Sequence, residues 1–473
     1  MANIISRFFK TEIDRQLQSF NGSDNLYNHN TFRFLGRDAA ISMPDNPETY
    51  VRDGYLKMAA VNRCVNLILT KMASVPIIIY EVKPDSGQKY KEFKTLNSSQ
   101  EIISKAKAQI IRIKQLTEVS NNEINNLIED PNEFQTWDEW VKYFVGSYLL
   151  TGNSYDYLNG PFLGEDYNAK KDKFTEMFVL PTGKINIISG GEFNPVKAYR
   201  MENQGSFTDY PASQIIHWKT FNPEYCTTGS QLYGVSPLRA YAEPLLRNKL
   251  GDKELSRQLN SGGQMGFISP KETVNQFTSD QRKSFKDSID EAKNSNSSNA
   301  RILPISMSVD FVPISLSSGD LELLKIKSLD EESIYKAYNI PLVFANQDAS
   351  KYDANSWAAT QFIYNAIAPL CEDIGTLLTK KICGSIEKRT GKNYQIYLDF
   401  NALPEMQADM AKVSEWISKS PELTYNEKRE AKGYGRLDIE GMDSIFISGN
   451  DRLIQDAAIS DSDFNNALNE LNN

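Results

Sequence analysis

Histidine is nearly absent from this 473-residue chain, which holds two, and cysteine is scarce at four. Cys64, Cys226, Cys371 and Cys383 stand far apart and form no CxxC pair. That spacing argues against a disulfide framework or a structural zinc site and leaves reduced, mostly buried thiols. No run of 18 apolar residues occurs, and the opening MANIISRFFKTEIDRQL is broken by Arg7, Lys10, Glu12 and Asp14. Neither a membrane span nor a signal peptide is expected, so the chain reads as soluble and unexported. A phosphate-binding loop of the form GxxxxGK[ST] is also missing. The glycines of NSGGQMGF lack the lysine and hydroxyl that reach phosphates and Mg²⁺, so NTP hydrolysis by this chain is not expected. Clustered positive charge is lacking too. The formal charge is -9 overall, and residues 401–473 hold 14 acidic and 7 basic side chains, a net of -7 that leaves -2 for the first 400 residues. A protein gripping DNA over a broad face carries the opposite balance, so any contact with nucleic acid is expected to be loose.

What is present is ordinary globular material, 40% hydrophobic and 24% charged, in a chain long enough for two or more cores. Residues 1–49 are polar and turn-rich and read as an arm. Met58, Val61, Val65, Leu67, Ile68 and Met72 then recur at helical spacing until Pro76, after which Ile77 to Val82 reads as a strand. Thr136 and Glu139 have the spacing of a capping box, ahead of a helix that buries Trp140, Val141, Phe144, Val145, Tyr148 and Leu149 and stops at Gly152. Alternating stretches such as FTEMFVL and KINIIS follow, and the first half reads as α+β. Ser236-Pro237 is an N-cap and first-turn pair opening a helix to about residue 260, with Gly251 as its weak point. Further on come a helix-like SDQRKSFKDSIDEAK, two alternating strands, and a helix from about Ser318 that Pro341 stops. A long helical pattern resumes at Trp357, Gln361, Tyr364, Ala368, Cys371, Ile374 and Leu378. Pro369 inside it removes one backbone hydrogen bond, which predicts a kink.

His217 precedes Cys226 by nine residues. Such a pair can be a nucleophile with its base, two metal ligands, or neighbours with no shared chemistry. His217 follows Ile215 and Ile216 and adjoins Trp218, which reads as a sheet-edge histidine with a hydrogen-bonded ring, and Cys226 reads as a small loop residue. Two-metal chemistry needs converging carboxylates, and the DxD spacing of Asp461 and Asp463 lies in a polar tail. Lys283, Lys286 and Lys293 at near-helical spacing, with Arg301 after them, form either a solvated face or a contact for DNA or an acidic partner.

Taken in order, several segments resemble the portal, or head-tail connector, proteins of tailed bacteriophages, in the branch found in many long-tailed phages. These are AAVNRCVNLILTKMASVPIIIYEV, LIEDPNEFQTWDEWVKYFVGSYLLTGNSYDYL, the GxSP element at Gly234, Ser236 and Pro237, SSGDLELLKIKSLDEESIYKAYNIPLVF, and LTYNEKREAKGYGRL. The resemblance spans roughly residues 50–440. The chain departs from it in a polar insertion near 83–123, in Leu342 where a second proline is common, and in the acidic end beyond 440.

The resemblance implies an α+β portal-type fold: an α/β wing (50–236), a first stem helix (237–260), a small α/β clip (261–317), a second stem helix (318–339), a tunnel loop (340–355), a long kinked helix and wing strand (356–400), and a helical crown with an acidic tail (401–473). It implies a ring, expected to hold twelve copies, at one capsid vertex, through which double-stranded DNA enters and leaves. The implied partners are a terminase motor, the major capsid protein and a head-tail adaptor, with no membrane, cofactor or metal and no catalytic residue. The implied location is the virion, with host cytoplasm during assembly. Asn346, Gln347, Ser350, Lys351 and Asn355 would face the DNA channel, and Lys283, Lys286, Lys293 and Arg301 would dock partners at the clip. Two alternatives stand beside this reading: another ring-forming virion component, such as an adaptor or tail protein, and a nucleic-acid-processing enzyme.

Overall fold

Pro76 sets the first clear boundary in the computed structural model. After a two-residue strand, β1 (Ala40–Ile41), and a π-helical turn at Tyr50–Tyr55, helix α1 (Ala59–Ala73) buries Val61, Cys64, Val65, Ile68, Leu69 and Met72 on one stripe. The β-branched run behind Pro76 then forms strand β2 (Ile77–Glu81). The structure describes residues 40–41, 47–83, 86–119, 123–161, 168, 172–190, 194–203, 205–224, 229–261, 266–270, 279–280, 283, 286–287, 309–313, 323–345, 352–439, 441–447 and 452–453. The chain divides into two compact units, residues 1–243 with 332–473, and residues 244–331.

The segment read as a polar insertion is a helical hairpin, α2 (Gly87–Asn97) and α3 (Ile102–Gln115), followed by the short strand β3 (Thr117–Glu118). It is part of the core of the larger unit. Phe93 and Ala108 pack with Tyr80, Val82, Leu116 and Tyr397, and Ala106 packs with Val413, Ile417 and Leu423.

Helices α4 (Glu123–Glu129) and α5 (Trp137–Thr151) come next. The capping box is complete: Glu139 N donates to Thr136 Oγ1 at 3.4 Å, and Thr136 N donates to Glu139 Oε2 at 3.2 Å. Six strands follow: β4 (Asn153–Asn159), β5 (Glu176–Leu180), β6 (Ile185–Ile188), β7 (Ala198–Asn203), β8 (Ser206–Pro211) and β9 (Ile215–Lys219). They build two antiparallel sheets, ordered β5-β4-β9 and β1-β6-β7-β8. Tyr155, Leu180, Ile185, Ile187, Tyr199 and Ile215 fill a shared core between them.

A 3₁₀ turn at Pro237–Tyr241 leads into α6 (Ala242–Ser261). In the smaller unit, strands β10 (Gly266–Pro270) and β11 (Val309–Pro313) pair antiparallel, with Gly266 opposite Pro313. Helix α7 (Leu323–Ala337) follows. Arg247 of α6 meets Asp330 of α7 at 2.7 Å, with the Asp330 side chain 3% exposed. That ion pair ties the two helices side by side within this unit.

The last third begins with α8 (Tyr352–Phe362), a π turn at Ile363–Ile367 and α9 (Ala368–Leu378). Where a kink was expected, the helix answers Pro369 with that π turn. The turn contains Asn365, whose carbonyl a proline ring four residues on would meet, so the widened turn relieves the clash. Tyr364, Ala368, Cys371, Ile374 and Leu378 are buried as their spacing predicts, but Trp357 points outward and is 65% exposed. After a second π turn come α10 (Gly384–Thr390) and strand β12 (Tyr394–Leu398), which joins β2 and β3 in a sheet ordered β12-β2-β3. Helices α11 (Gln407–Lys419) and α12 (Tyr425–Ala431) close the described core, the latter on a second capping box, Thr424 with Glu427.

Candidate functional site

The stretch around Gly234, Ser236 and Pro237 is a knot of backbone-directed hydrogen bonds. Gly152, at φ +73°, ends α5, and a side chain there would place its Cβ 2.2 Å from the Val235 carbonyl oxygen. Gly234 approaches the same place from the other chain segment, and a Cβ on it would lie 2.1 Å from the Gly152 carbonyl oxygen. Only two glycines let the backbones come this close. The gap is then stitched by side chains. Asn153 Oδ1 accepts from Gly234 N at 2.6 Å while its Nδ2 donates to Gly234 O at 2.9 Å. Thr220 Oγ1 accepts from Val235 N and donates to Val235 O, at 2.8 and 2.6 Å. Ser236 caps the next helical turn by accepting from Leu238 N at 3.2 Å, and donates its own proton to Leu150 O at 2.6 Å. Tyr338, just past the end of α7, donates to the neighbouring carbonyl, Leu149 O, at 3.1 Å. The last turn of α5, whose carbonyls have no intrahelical partner, thus anchors both the entry to α6 and the exit from α7.

His217 belongs to this junction and has no catalytic geometry. It sits on β9, an outer strand of its sheet, with Nδ1 3.2 Å from Tyr199 Oη and Nε2 3.2 Å from Asn153 Oδ1. The Tyr155 ring stacks on it at 4.4 Å. Burial pulls its pKa down to about 3, with Lys219 and Lys381 adding repulsion, so the ring is neutral at physiological pH. The neighbouring lysines cap carbonyls. Lys219 Nζ donates to Leu232 O and Lys381 Nζ to Ala212 O, each at 2.8 Å, and burial pulls the latter down to about 8. On the other face of β4, Asp156 is fully enclosed and accepts from Trp140 Nε1 at 2.9 Å. Burial pushes it up to about 8, so it is largely protonated near neutrality.

The α2–α3 hairpin carries a second polar group. Lys105 is 1% exposed, with Nζ 3.9 Å from Asp409 and 4.8 Å from the centre of the Tyr364 ring. Burial lowers its pKa, opposed by Asp409 and Asp399. Other hairpin cations are paired as well: Lys114 with Glu427 at 2.6 Å, Arg112 with Glu118 at 2.5 Å and with Asp399 at 3.9 Å, and Lys94 with Glu372 at 3.9 Å. The positive charge of the hairpin is thereby matched largely by carboxylates of the C-terminal third. This is a structural use of lysine and arginine within the larger unit.

Of the residues expected in the channel, Asn355 lies in the first turn of α8, while Asn346, Gln347, Ser350 and Lys351 lie outside the described residues. At the expected docking face, Lys283 and Lys286 are helical and exposed, and Lys293 and Arg301 lie outside the described residues. So does Cys226, whereas Cys64, Cys371 and Cys383 are free and buried. Among the described residues no group of His, Cys, Asp and Glu is arranged to hold a metal, and no helix is long and apolar enough to cross a membrane. Sequence reasoning missed Asn153, Thr220 and Tyr338, polar residues whose partners are backbone atoms far away in the chain.

Comparison with known proteins gives a consistent picture. A family profile described as phage portal protein matches residues 93–433, beginning inside the hairpin read as an insertion. An uncharacterized protein of Rickettsia bellii (strain RML369-C) is 22% identical over 403 residues, covering 81% of this chain and 89% of its own. Among solved structures, the neck of an empty gene transfer agent particle computed with C6 symmetry matches with a TM-score of 0.59 at 19% identity, over 85% of this chain and 97% of the other. The neck of the native particle, computed with C12 symmetry, matches with a TM-score of 0.58 at 18% identity and the same coverage.

Proposed function

Because this chain belongs to the phage portal protein family, we propose that it forms a ring, of twelve copies, at a capsid vertex and serves as the channel for DNA packaging and ejection. The observation that carries the reading is the paired arm. Helices α6 and α7, joined by the Arg247–Asp330 ion pair, flank a segment with a two-stranded β-ribbon, and the residues entering and leaving them are tied to adjacent carbonyls of α5. An adaptor or tail component has no need of such a stem and clip. The enzyme alternative loses its best candidate with the neutral, hydrogen-bonded His217.

In this reading residues 50–236 with 356–400 are the wing, 237–260 and 318–339 the stem, 261–317 the clip, 340–355 the tunnel loop and 401–473 the crown and tail. A driven duplex must slide, which suits a net negative chain and a polar loop with one cation, Lys351, better than an arginine cluster. No phosphate-binding loop is present, so the energy comes from a separate motor, the terminase, docking with head-completion proteins at the clip.

Mass photometry and end-on negative stain of the purified chain test the ring. About 640 kDa, twelve copies of the 53.6 kDa subunit, with a central hole wide enough for duplex DNA is the expected result, and a protein that stays monomeric at every concentration refutes it. Two variants test the assigned faces within an assembling particle. Lys351→Ala is expected to leave the ring intact and change packaging yield or genome retention. The double charge reversal Lys283→Glu, Lys286→Glu is expected to weaken co-purification with the motor or adaptor. Unchanged packaging in the first, or undiminished partner binding in the second, removes that residue from its assigned role.

A further inference from the structure

Residues 354–371, ANSWAATQFIYNAIAPLC, contain no charged side chain in a chain that is 24% charged. They run from α8 through the π turn into α9. One side of this rod is core: Ala358, Phe362, Ile363 and Ile367 are each less than 5% exposed. The other side is not covered by the described residues. Ser356, Trp357, Asn365 and Pro369 are exposed, and Gln361 between them is partly so. Trp357 presents 65% of its surface to solvent.

The outward face of a core-packed helix ordinarily carries charged residues among its polar ones, so a charge-free face with an exposed tryptophan is unusual. The composition of the open face narrows what encloses it. A nucleic-acid surface draws its affinity from lysine and arginine, and this face has neither. A face depleted of charge, carrying a large aromatic and a few amides, matches the fully buried centre of a protein–protein interface. A closed ring supplies the partner, since each copy must offer the next a face that is not self-complementary.

We propose that the Ser356, Trp357, Gln361, Asn365 and Pro369 face is buried against a neighbouring copy of this chain, with Trp357 as its anchor. The proposal rests on the ring reading above.

The test uses the full chain at matched concentrations, with ring fraction from mass photometry and folding from circular dichroism melts. Trp357→Glu and, independently, Asn365→Lys are expected to lower the ring fraction at least tenfold while the folded far-UV spectrum is retained. Both sites are exposed in the subunit, so neither change disturbs its core. Trp357→Phe is expected to keep most rings. Phe207→Ala, which removes another exposed aromatic, packed over Arg200 on the β7–β8 hairpin, is expected to keep all of them. Wild-type ring yields in both charged variants overturn the proposal alone. A wild-type chain that never forms rings overturns the ring reading and the proposal with it.

Discussion

Alanine at Gly234 is expected to leave little soluble folded protein, or to destabilise what remains by about 4 kcal/mol or more. The added Cβ would sit 2.1 Å from Gly152 O and 2.7 Å from Thr220 N. Both are backbone atoms in separate chain segments, so no rotamer change makes room. Moving either segment also breaks the Asn153 and Thr220 hydrogen bonds that close the junction, leaving buried amides without partners. Gly152→Ala is expected to do the same for two reasons, a left-handed φ of +73° and a Cβ 2.2 Å from Val235 O. Gly251→Ala is the informative contrast. It lies inside α6 with nothing within 4 Å of its added Cβ, so the change is expected to stabilise the chain by ~0.5–1 kcal/mol through helix propensity. Urea titrations and soluble yield of the three variants measure this directly. A Gly234→Ala chain that unfolds within ~1 kcal/mol of wild type shows that the close approach of Gly152 and Gly234 is not needed for stability.

The same junction shows what was legible in the sequence. The capping boxes, the stop at Gly152 and the Ser236-Pro237 start are local devices, fixed by neighbours within four residues, and all can be read without a structure. The reason Gly234 must be glycine is not local, because it depends on a carbonyl 82 positions away. The α2–α3 hairpin was hidden for a related reason. It reads as a polar insertion, and only the C-terminal carboxylates brought beside it turn Lys105 and Lys114 inward or into pairs. Trp357 errs the other way: its size and spacing assign it to the core stripe, yet it is exposed and the stripe that packs runs through Ala358, Phe362 and Ile363. The residues proposed for the channel come from resemblance to a family alone, because polar loop residues have no periodicity to suggest a role.

Two groups on adjacent strands, buried Asp156 and half-buried His217, are expected to set opposing slopes in the pH dependence of stability. Asp156 is raised from 3.8 to about 8 in the folded chain. Its contribution is complete below pH 3.8 and is lost as the pH climbs through 8, because the folded state must give up a proton it holds more tightly than the unfolded state does. His217 is lowered from 6.5 to about 3. Its contribution is complete above pH 6.5 and is lost as the pH falls through 3. Between about pH 4 and 6.5 the folded chain keeps the Asp156 proton and refuses the His217 proton, so these two contributions cancel. From 6.5 to 8, of these two only Asp156 acts, contributing a fall of ~1.4 kcal/mol per pH unit. Lys381, lowered to about 8 from 10.5, contributes the opposite slope above that window. Asp156→Asn keeps an acceptor for Trp140 Nε1 and cannot ionise. That variant is expected to lose the decline from 6.5 to 8 and to gain a rise from 3 to 6.5 driven by His217 alone. His217→Gln is expected to show the mirror behaviour, a decline that starts near pH 4. Denaturant midpoints collected every half pH unit distinguish the three chains. An Asp156→Asn slope equal to wild type between 6.5 and 8 means that the carboxyl is ionised inside the fold, and that the Trp140 hydrogen bond outweighs the loss of hydration.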